Sequence, residues 1–511
     1  MSRSRRFLGG LAMTYGYQAM VLFVGLWLTP FYLRRIGQHD YGLWLVGTQL
    51  LTYLSLTDFG VVELLPQEVA YSTGRAGGVE KAQDLSRVVG QTVRLVLYQL
   101  PVVIAIAIAM FFAIPAEWQA LRGPLTFILL GFVAAFPLRM LPALLQGLQD
   151  LTFAGGVQIL NWVLSTAATV WMVWSGWSLF ALAAGWLISQ LLLVPLIFYR
   201  IWTRFPQVLP RRLPPFDLIK TKIQLGKGMW ICLSQVATLL MAQTDLLIIG
   251  RLLGPAAVVP YACTCKLISV LANQAQILMQ TATPGLCEVK SGESRERMFQ
   301  VLVSLTHGML FLSGLIVCVV LPINHWFVDW WVTARQYGGL PLTLAFITNV
   351  AVRHWTTTTA FTVFCFGHQR RISLTNLFDG LVSAGSCLVL TMLFGLPGAA
   401  LGSVVGAAAI SLPFNLRVIA RDTGVTVRRL ILAMLGSWIW RFAVIMTALV
   451  WIAMRWSPRN LGEAAATAAA TAAAYGLLML PNIFKSPLGG YIRPILASFR
   501  LRYAAFQMRL S

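Results

Sequence analysis

The sequence predicts an all-α polytopic membrane protein with about 14 transmembrane helices, arranged as two parallel six-helix bundles plus two extra C-terminal helices. Three observations predict it. Of the 511 residues, 58% are hydrophobic and only 11% charged, whereas soluble domains carry about 25% charged residues. Apolar runs of bilayer length recur from one end to the other, and a hydrocarbon core of about 30 Å takes roughly 20 residues of helix. Finally, four groups of residues recur at a nearly constant offset. The composition excludes soluble multidomain enzymes, disordered tails and nucleic-acid binders.

The apolar runs place helices at 9–32, 41–65, 88–113, 123–145, 153–174, 178–199, 229–251, 257–282, 299–322, 340–364, 374–394, 397–416, 433–454 and 463–483. Very short connections, Ser175-Gly176-Trp177 and Gly395-Leu396, keep twelve spans as the alternative count. The chain divides into a first bundle with its cytoplasmic linker (1–228), a second bundle (229–430), two additional helices (431–484) and a basic tail (485–511).

Charge sets the orientation, because cytoplasmic loops of membrane proteins collect Lys and Arg. With the N-terminus inside, 27 of the 39 Lys and Arg fall on cytoplasmic segments, seven on external ones and five within spans. Both termini are therefore expected in the cytoplasm, and most of the net charge of +22 is an orientation code that needs no nucleic-acid partner. The Ser4-Arg5-Arg6-Phe7-Leu8 run lacks the spacer and cleavage site of a twin-arginine signal and reads as a basic anchor. In the tail, Ile495, Leu496, Phe499, Tyr503, Phe506 and Leu510 recur at helical spacing between arginines. That pattern fits a helix on the inner leaflet, or a partner-docking helix.

The repeat is the most informative feature. Arg34-x-x-Gly37 returns as Arg251-x-x-Gly254, and Pro66, Thr73 and Gly74 return as Pro284, Ser291 and Gly292. Gly147-x-Gln149 returns as Gly367-x-Gln369, and Gly176 with Ala181-Leu182 returns as Gly395 with Ala400-Leu401. All four offsets lie within 217–220 residues, and each pair falls at the same place in the helix order. An even number of helices per repeat gives both halves one orientation. Such parallel repeats are a transporter architecture, with the substrate path expected between the bundles.

Ionisable residues inside spans usually face a protein interior or a water-filled cavity. Here they are Arg94, Arg139, Lys266, Arg353 and Arg441, with Asp58, Asp245, His307 and His354. Asp58 with Arg94 and Asp245 with Lys266 are possible ion pairs, whereas Arg139 and Arg353 have no evident acidic partner at their depth. A free guanidinium suits a phosphate or carboxylate, which it grips with two parallel hydrogen bonds. Arg441 falls outside the repeat and reads as a packing or lipid-facing residue. The two histidines read as proton carriers or as hydrogen-bonded interior groups. Asp379 and Glu63 are expected near cytoplasmic helix ends. The Thr356–Thr359 run offers hydroxyls to a sugar, or bonds back to its own helix carbonyls.

Several chemistries lack their residues. No phosphate-binding loop of the G-x-x-x-x-G-K-[ST] type occurs, nor H-E-x-x-H, nor G-x-S-x-G. The seven cysteines have no metal-ligand spacing and read as small apolar residues. No cofactor, metal or catalytic residue is expected. The longest external loop, about 323–339, carries little to catalyse with, so enzyme activity is disfavoured.

Three segments resemble a known family. They are Leu28-Thr29-Pro30-Phe31-Tyr32-Leu33-Arg34-Arg35-Ile36-Gly37 followed by Asp40-Tyr41-Gly42-Leu43-Trp44, then Tyr53 to Gly60, and Thr244 to Gly250 through Gly254 to Tyr261. They are similar to the polysaccharide-transporter branch of the multidrug/oligosaccharidyl-lipid/polysaccharide exporter superfamily. The resemblance covers spans one to twelve and is most specific in the first eighty residues. It implies twelve to fourteen helices, a cavity between bundles, alternating access, and flipping of an undecaprenyl-pyrophosphate-linked oligosaccharide to the outer leaflet. It also implies a cationic cavity, with Lys266 where lipid-precursor flippases place a cation, and ion coupling in some members. Span one has no charge between Phe7 and Arg34, unlike peptidoglycan-precursor flippases, and Asp58 and Asp245 stand apart, unlike the acidic site of drug exporters.

The expected function is thus a lipid-linked glycan flippase of the bacterial inner membrane. Arg94, Arg139, Lys266 and Arg353 are the expected substrate-binding residues, and Asp58, Asp245 and His354 the coupling or ion-pair candidates. Expected partners are the anionic glycan lipid, membrane lipids and polysaccharide polymerase or assembly proteins. An ion-coupled drug exporter and a membrane glycosyltransferase or polymerase are the alternatives.

Overall fold

The computed structural model describes residues 3–75, 78–210, 218–292 and 294–485. The amphipathic tail expected after Lys485 lies outside them. The described residues form helices and no strand, as a lipid environment requires, since helices satisfy their own backbone groups. In order they are α1 (Arg3–Ile36), α2 (Gln38–Leu54), α3 (Val61–Arg75), α4 (Gly78–Ala113), α5 (Gln119–Ala135), α6 (Met140–Gly147) and α7 (Leu151–Trp174). Then follow α8 (Leu179–Leu191), α9 (Val194–Arg204), α10 (Leu218–Ala242), α11 (Thr244–Leu252), α12 (Pro255–Gly292) and α13 (Arg295–Trp331). The last are α14 (Leu340–Cys365), α15 (Gln369–Phe394), α16 (Leu396–Gly406), α17 (Leu412–Thr423), α18 (Val427–Arg455) and α19 (Leu461–Lys485).

Every expected apolar run is helical. By length and apolarity, 11 helices qualify as spans, or up to 13 if two bent pairs each count as one. The bent pairs are α2 with α3, at 49°, and α10 with α11, at 46°. The expected count of fourteen therefore exceeds what length and apolarity establish. The element left over is α14, long enough to cross but carrying Arg353, His354 and four threonines.

The breaks have local causes. Between α2 and α3, Phe59 (φ 49°) and Gly60 (φ 72°) turn left-handed. The Asp58 carboxylate accepts the Gly60 N–H at 3.0 Å, and Gln99 donates to the Asp58 carbonyl at 3.0 Å. These bonds satisfy backbone groups that the break would otherwise leave bare in lipid. Gly60 also lies so close to the Gly228 carbonyl that a Cβ would stand 2.5 Å from it. Between α5 and α6, Phe136–Arg139 tightens into a 3-10 turn at Pro137. A π-helical turn at Ala407–Ser411 joins α16 to α17 just ahead of Pro413, whose ring cannot donate to the preceding turn.

The chain forms two compact units, Met1–Leu239 with Gly254–Val259, and Leu240–Leu253 with Pro260–Ser511. In the first, α1 packs on α7, α5 on α8, and α3 on α4 and α6. In the second, α13 packs on α14, α18 and α19, and α16 lies against α14 and α15. Left-handed joints repeat between the units at Gly37 and Gly254, Gln149 and Gly367, and Gly176 and Gly395. This corrects one sequence pairing. The counterpart of Gly367 is Gln149, whereas Gly147 ends α6, where it crosses α3 against Val69. Each unit also ties the residue or joint just ahead of one helix, α7 or α15, to a later helix, α9 or α17. Arg200 on α9 meets Asp150 at 2.9 Å, and His368 meets Asp422 on α17 at 3.0 Å, with the carboxylate on the opposite side.

Candidate functional site

The first unit holds a half-open cavity of about 740 Å³. Its walls come from the start of α3, the kinked α5–α6 segment, one face of α7, and the α8–α9 joint. The α7 face reads Ala154, Gln158 and Asn161, spaced by four and three residues as one helix face requires. Small residues at 154 and 155 open the space, and the amides line it.

Arg139 stands in this wall. The 3-10 turn at the end of α5 carries it towards Asp58, and its guanidinium lies over the Phe132 and Phe136 rings at 5.7 and 5.9 Å. Asp58 is 2% exposed and Arg139 28%, and they approach only to 3.9 Å. That distance is an ion pair without a hydrogen bond. Nη1 of Arg139 is buried with no acceptor among the described residues. Asn161 donates to the Ser189 carbonyl at 2.6 Å while its own Oδ1 is buried without a donor. Gln146, Gln158, Gln190 and Glu63 complete the polar lining.

The second unit holds a different arrangement. Arg353 on α14 meets Asp379 on α15 through two hydrogen bonds, at 2.7 and 3.0 Å. Its Nε donates to Ser403 Oγ at 2.8 Å, and Nη2 donates to Ser383 Oγ and the Ser403 carbonyl. Nη1 also faces Met241 Sδ. Asp379, fully buried, accepts further from Ser383 and Ser411, the latter in the π-helical turn. Each guanidinium nitrogen is engaged, so this cluster can clamp helices but has no free donor for a ligand.

The sequence-predicted residues thus separate. Arg353 has an acidic partner after all, and Asp379 is sealed inside, not solvated at a helix end, because α15 turns it towards α14. Asp58 pairs with Arg139 rather than Arg94. Asp245 accepts from the Tyr261 hydroxyl at 2.6 Å rather than meeting Lys266. Arg94 and Lys266 are half-buried, with no ion pair among the described residues. His354 shares a hydrogen bond with Ser313. Thr356, Thr358 and Thr359 bond back to carbonyls of their own helix at 2.8–3.0 Å. Glu63, expected at a cytoplasmic end, lines the cavity one turn past the break. The lining amides were missed, although Gln158 and Asn161, three apart in an apolar span, carried a readable signal. Among the described residues no three His, Cys, Asp or Glu side chains converge as a metal site.

A family model described as polysaccharide biosynthesis protein matches residues 40–333, more than half of the chain. The chain belongs to this family. The fold of the chain is also found in solved structures. An inward-facing multidrug resistance MATE transporter of the MOP superfamily matches with TM-score 0.64 and 12% identity, over 80% of this chain and 96% of that one. The lipid II flippase MurJ, inward closed, matches with TM-score 0.63 and 11% identity, over 93% and 100%. A MOP superfamily transporter from Pyrococcus furiosus Vc1 matches with TM-score 0.52 and 14% identity, over 82% and 95%. At these identities the likeness concerns the fold alone. No curated protein sequence matches the chain. Family and fold together make it a multi-pass helical membrane protein of the polysaccharide biosynthesis family, with a fold like that of the MOP superfamily transporters.

Proposed function

We propose that the protein is a flippase that carries a lipid-linked oligosaccharide of the undecaprenyl-pyrophosphate type from the cytoplasmic to the outer leaflet of the inner membrane. It works by alternating access and serves cell-surface or exopolysaccharide assembly. The observation that carries this reading is the cavity of the first unit, whose wall holds a half-exposed Arg139, only 3.9 Å from Asp58, beside the amides of Gln146, Gln158, Asn161 and Gln190. A cation held ready inside an apolar bundle suits an anionic, hydroxyl-rich headgroup. Arg94 and Lys266 are further cations available to the diphosphate, while Arg353 positions helices. Asp58, beside Arg139, is the coupling candidate, ahead of Asp245 and His354, whose side chains engage Tyr261 and Ser313. Polymerase or assembly proteins act on the delivered glycan.

Deleting the gene in its source strain tests the reading. Surface polysaccharide should fall at least tenfold while its lipid-linked precursor accumulates, and drug sensitivity should stay unchanged. Restored wild-type protein should reverse the defect, and Arg139→Gln should not. Normal polysaccharide, or sensitivity to drugs in its place, would overturn the proposal.

A further inference from the structure

The turn between α17 and α18, in the second unit, gathers arginines on an exposed face. α17 ends at Gly424 (φ 74°), where the Val425 N–H donates back to the Ala420 carbonyl at 3.1 Å. Thr426 then caps α18 by accepting the Arg429 N–H. Both helices set buried faces on Phe299 and Leu302 of α13, with Leu416 and Ile419 from α17 and Leu430 and Met434 from α18. The faces turned away from α13 are exposed. On α17 that stripe reads Phe414, Arg417 and Arg421, and on α18 it reads Arg428, Leu432 and Ile439, at the spacing of one helix face.

In each stripe the arginines stand nearest the turn and the apolar side chains follow along the span. Phe414 is 40% exposed and Leu432 59%, and the Arg417 guanidinium lies 5.7 Å from the Phe414 ring centroid. From α13, Arg295 reaches the turn itself, since a Cβ on Gly424 would stand 3.6 Å from its Nη1. Between Ser411 and Gly462 the only acid is Asp422, which His368 engages at 3.0 Å. Among the described residues, none of these four guanidinium groups has a carboxylate within ion-pair distance. A guanidinium fork matches a phosphate and is more weakly hydrated than an ammonium. Basic side chains at the end of a span hold their charge at the interface while their stems cover apolar surface. A ligand that completes both stripes therefore carries a phosphate at the turn and hydrocarbon below it. A free phosphate or a nucleic acid would leave Phe414 and Leu432 bare. A zwitterionic headgroup would bring an ammonium to a face without a carboxylate to receive it.

We infer that the exposed face of the α17–α18 turn is a binding site for an anionic phospholipid, its phosphate held by Arg417, Arg421 and Arg428 and its acyl chains laid along Phe414 and Leu432. Arg295 adds its charge beside Gly424. The bias of Lys and Arg puts this turn at the inner leaflet, whose anionic lipids attract basic residues. One phosphate shared between the two helices fastens the joint from outside, as the α13 cluster fastens it from within. The inference is independent of the flippase reading, because it concerns the lipid around the protein and not the substrate.

Native mass spectrometry of the full chain, titrated in detergent with dioleoylphosphatidylglycerol, dioleoylphosphatidylcholine and glycerophosphoglycerol, tests this. The first phosphatidylglycerol should bind roughly tenfold more tightly than phosphatidylcholine. Glycerophosphoglycerol, which has the phosphate and headgroup without acyl chains, should not displace it. Arg417→Gln/Arg421→Gln/Arg428→Gln should weaken that first lipid by roughly tenfold, and Phe414→Ala by about threefold through lost apolar contact. Arg335→Gln/Arg455→Gln/Arg459→Gln removes the same charge from other loops and should bind as wild type. If the first triple variant shows a lowered thermal transition, Arg421→Gln and Arg428→Gln singly take its place, each with about a threefold loss. The proposal is overturned if phosphatidylcholine binds equally, if glycerophosphoglycerol competes, if the α17–α18 variants bind normally, or if the two triple variants weaken binding to the same extent.

Discussion

At the scale of single residues, the buried charges differ in what they can release. Arg353 and Asp379 lock α14, α15 and α16 around one bidentate pair, with Ser383, Ser403 and Ser411 filling the remaining lone pairs and donors. Removing one partner leaves a desolvated charge, which costs on the order of 3–5 kcal/mol, whereas replacing both by apolar residues is often neutral. Arg353→Met should therefore lose about that much stability in detergent unfolding, and Arg353→Met/Asp379→Leu should regain most of it. Export should follow stability if Arg353 only clamps. A stable double variant that still fails to export would give Arg353 a direct role. The sequence placed Arg353 inside a span without an evident acidic partner, and Asp379 near a cytoplasmic helix end. Who faces whom depends on the rotation of each helix about its axis, which apolar runs do not encode when ionisable groups are few. For the same reason Asp58 was matched by depth to Arg94, while the structure pairs it with Arg139 across the kink.

At the scale of elements, the two C-terminal helices are fastened by one aromatic anchor. Tyr475 of α19 is fully buried, and its hydroxyl accepts from Trp438 of α18 at 3.1 Å and donates to the Leu310 carbonyl of α13 at 3.4 Å. The ring fits because α13 has no side chain at Gly314, where a Cβ would collide with the phenol. Close approach over glycine is how membrane helices gain packing without a hydrophobic driving force. Gly314→Ala should cost about 1–3 kcal/mol, the usual penalty of overpacking. Gly308→Ala, on the same helix with nothing within 4 Å of its Cβ, should be neutral or slightly stabilising by comparison. Equal effects of the two, measured by thermal unfolding, would remove Tyr475 as the anchor. Element positions were legible because lipid demands long apolar runs, and Gly and Pro punctuate them. The break at Phe59-Gly60 and the turns at Pro137 and Pro413 had local signals. The bend between Ala242 and Thr244 has neither Gly nor Pro, so nothing in the sequence announced it.

For the whole molecule, the open question is parity, and α14 decides it. Apolarity, not length, leaves α14 short of a span, yet several of its polar groups are satisfied internally: Arg353 by Asp379, His354 Nδ1 by Ser313 and three threonines by their own helix. Asn349 Oδ1, His354 Nε2 and Trp355 Nε1 are buried without a partner among the described residues. Polar residues at membrane depth are tolerated when they face protein. Charge counting argues the same way. After residue 340 the fourteen-span topology puts 11 Lys and Arg on cytoplasmic segments and two outside. If α14 did not cross, every later segment would change sides and those numbers would be exchanged, against the inward bias of Lys and Arg. We therefore expect α14 to cross and both termini to be cytoplasmic. Alkaline phosphatase fused after Gly338 should be active and after His368 inactive, while a fluorescent protein should light up only at the second site. Fusions after Trp177 and after Thr203 should give the same contrast and calibrate the assay. Matching signals after Gly338 and His368 would mean that α14 lies within the protein without crossing, and would place the C-terminus outside.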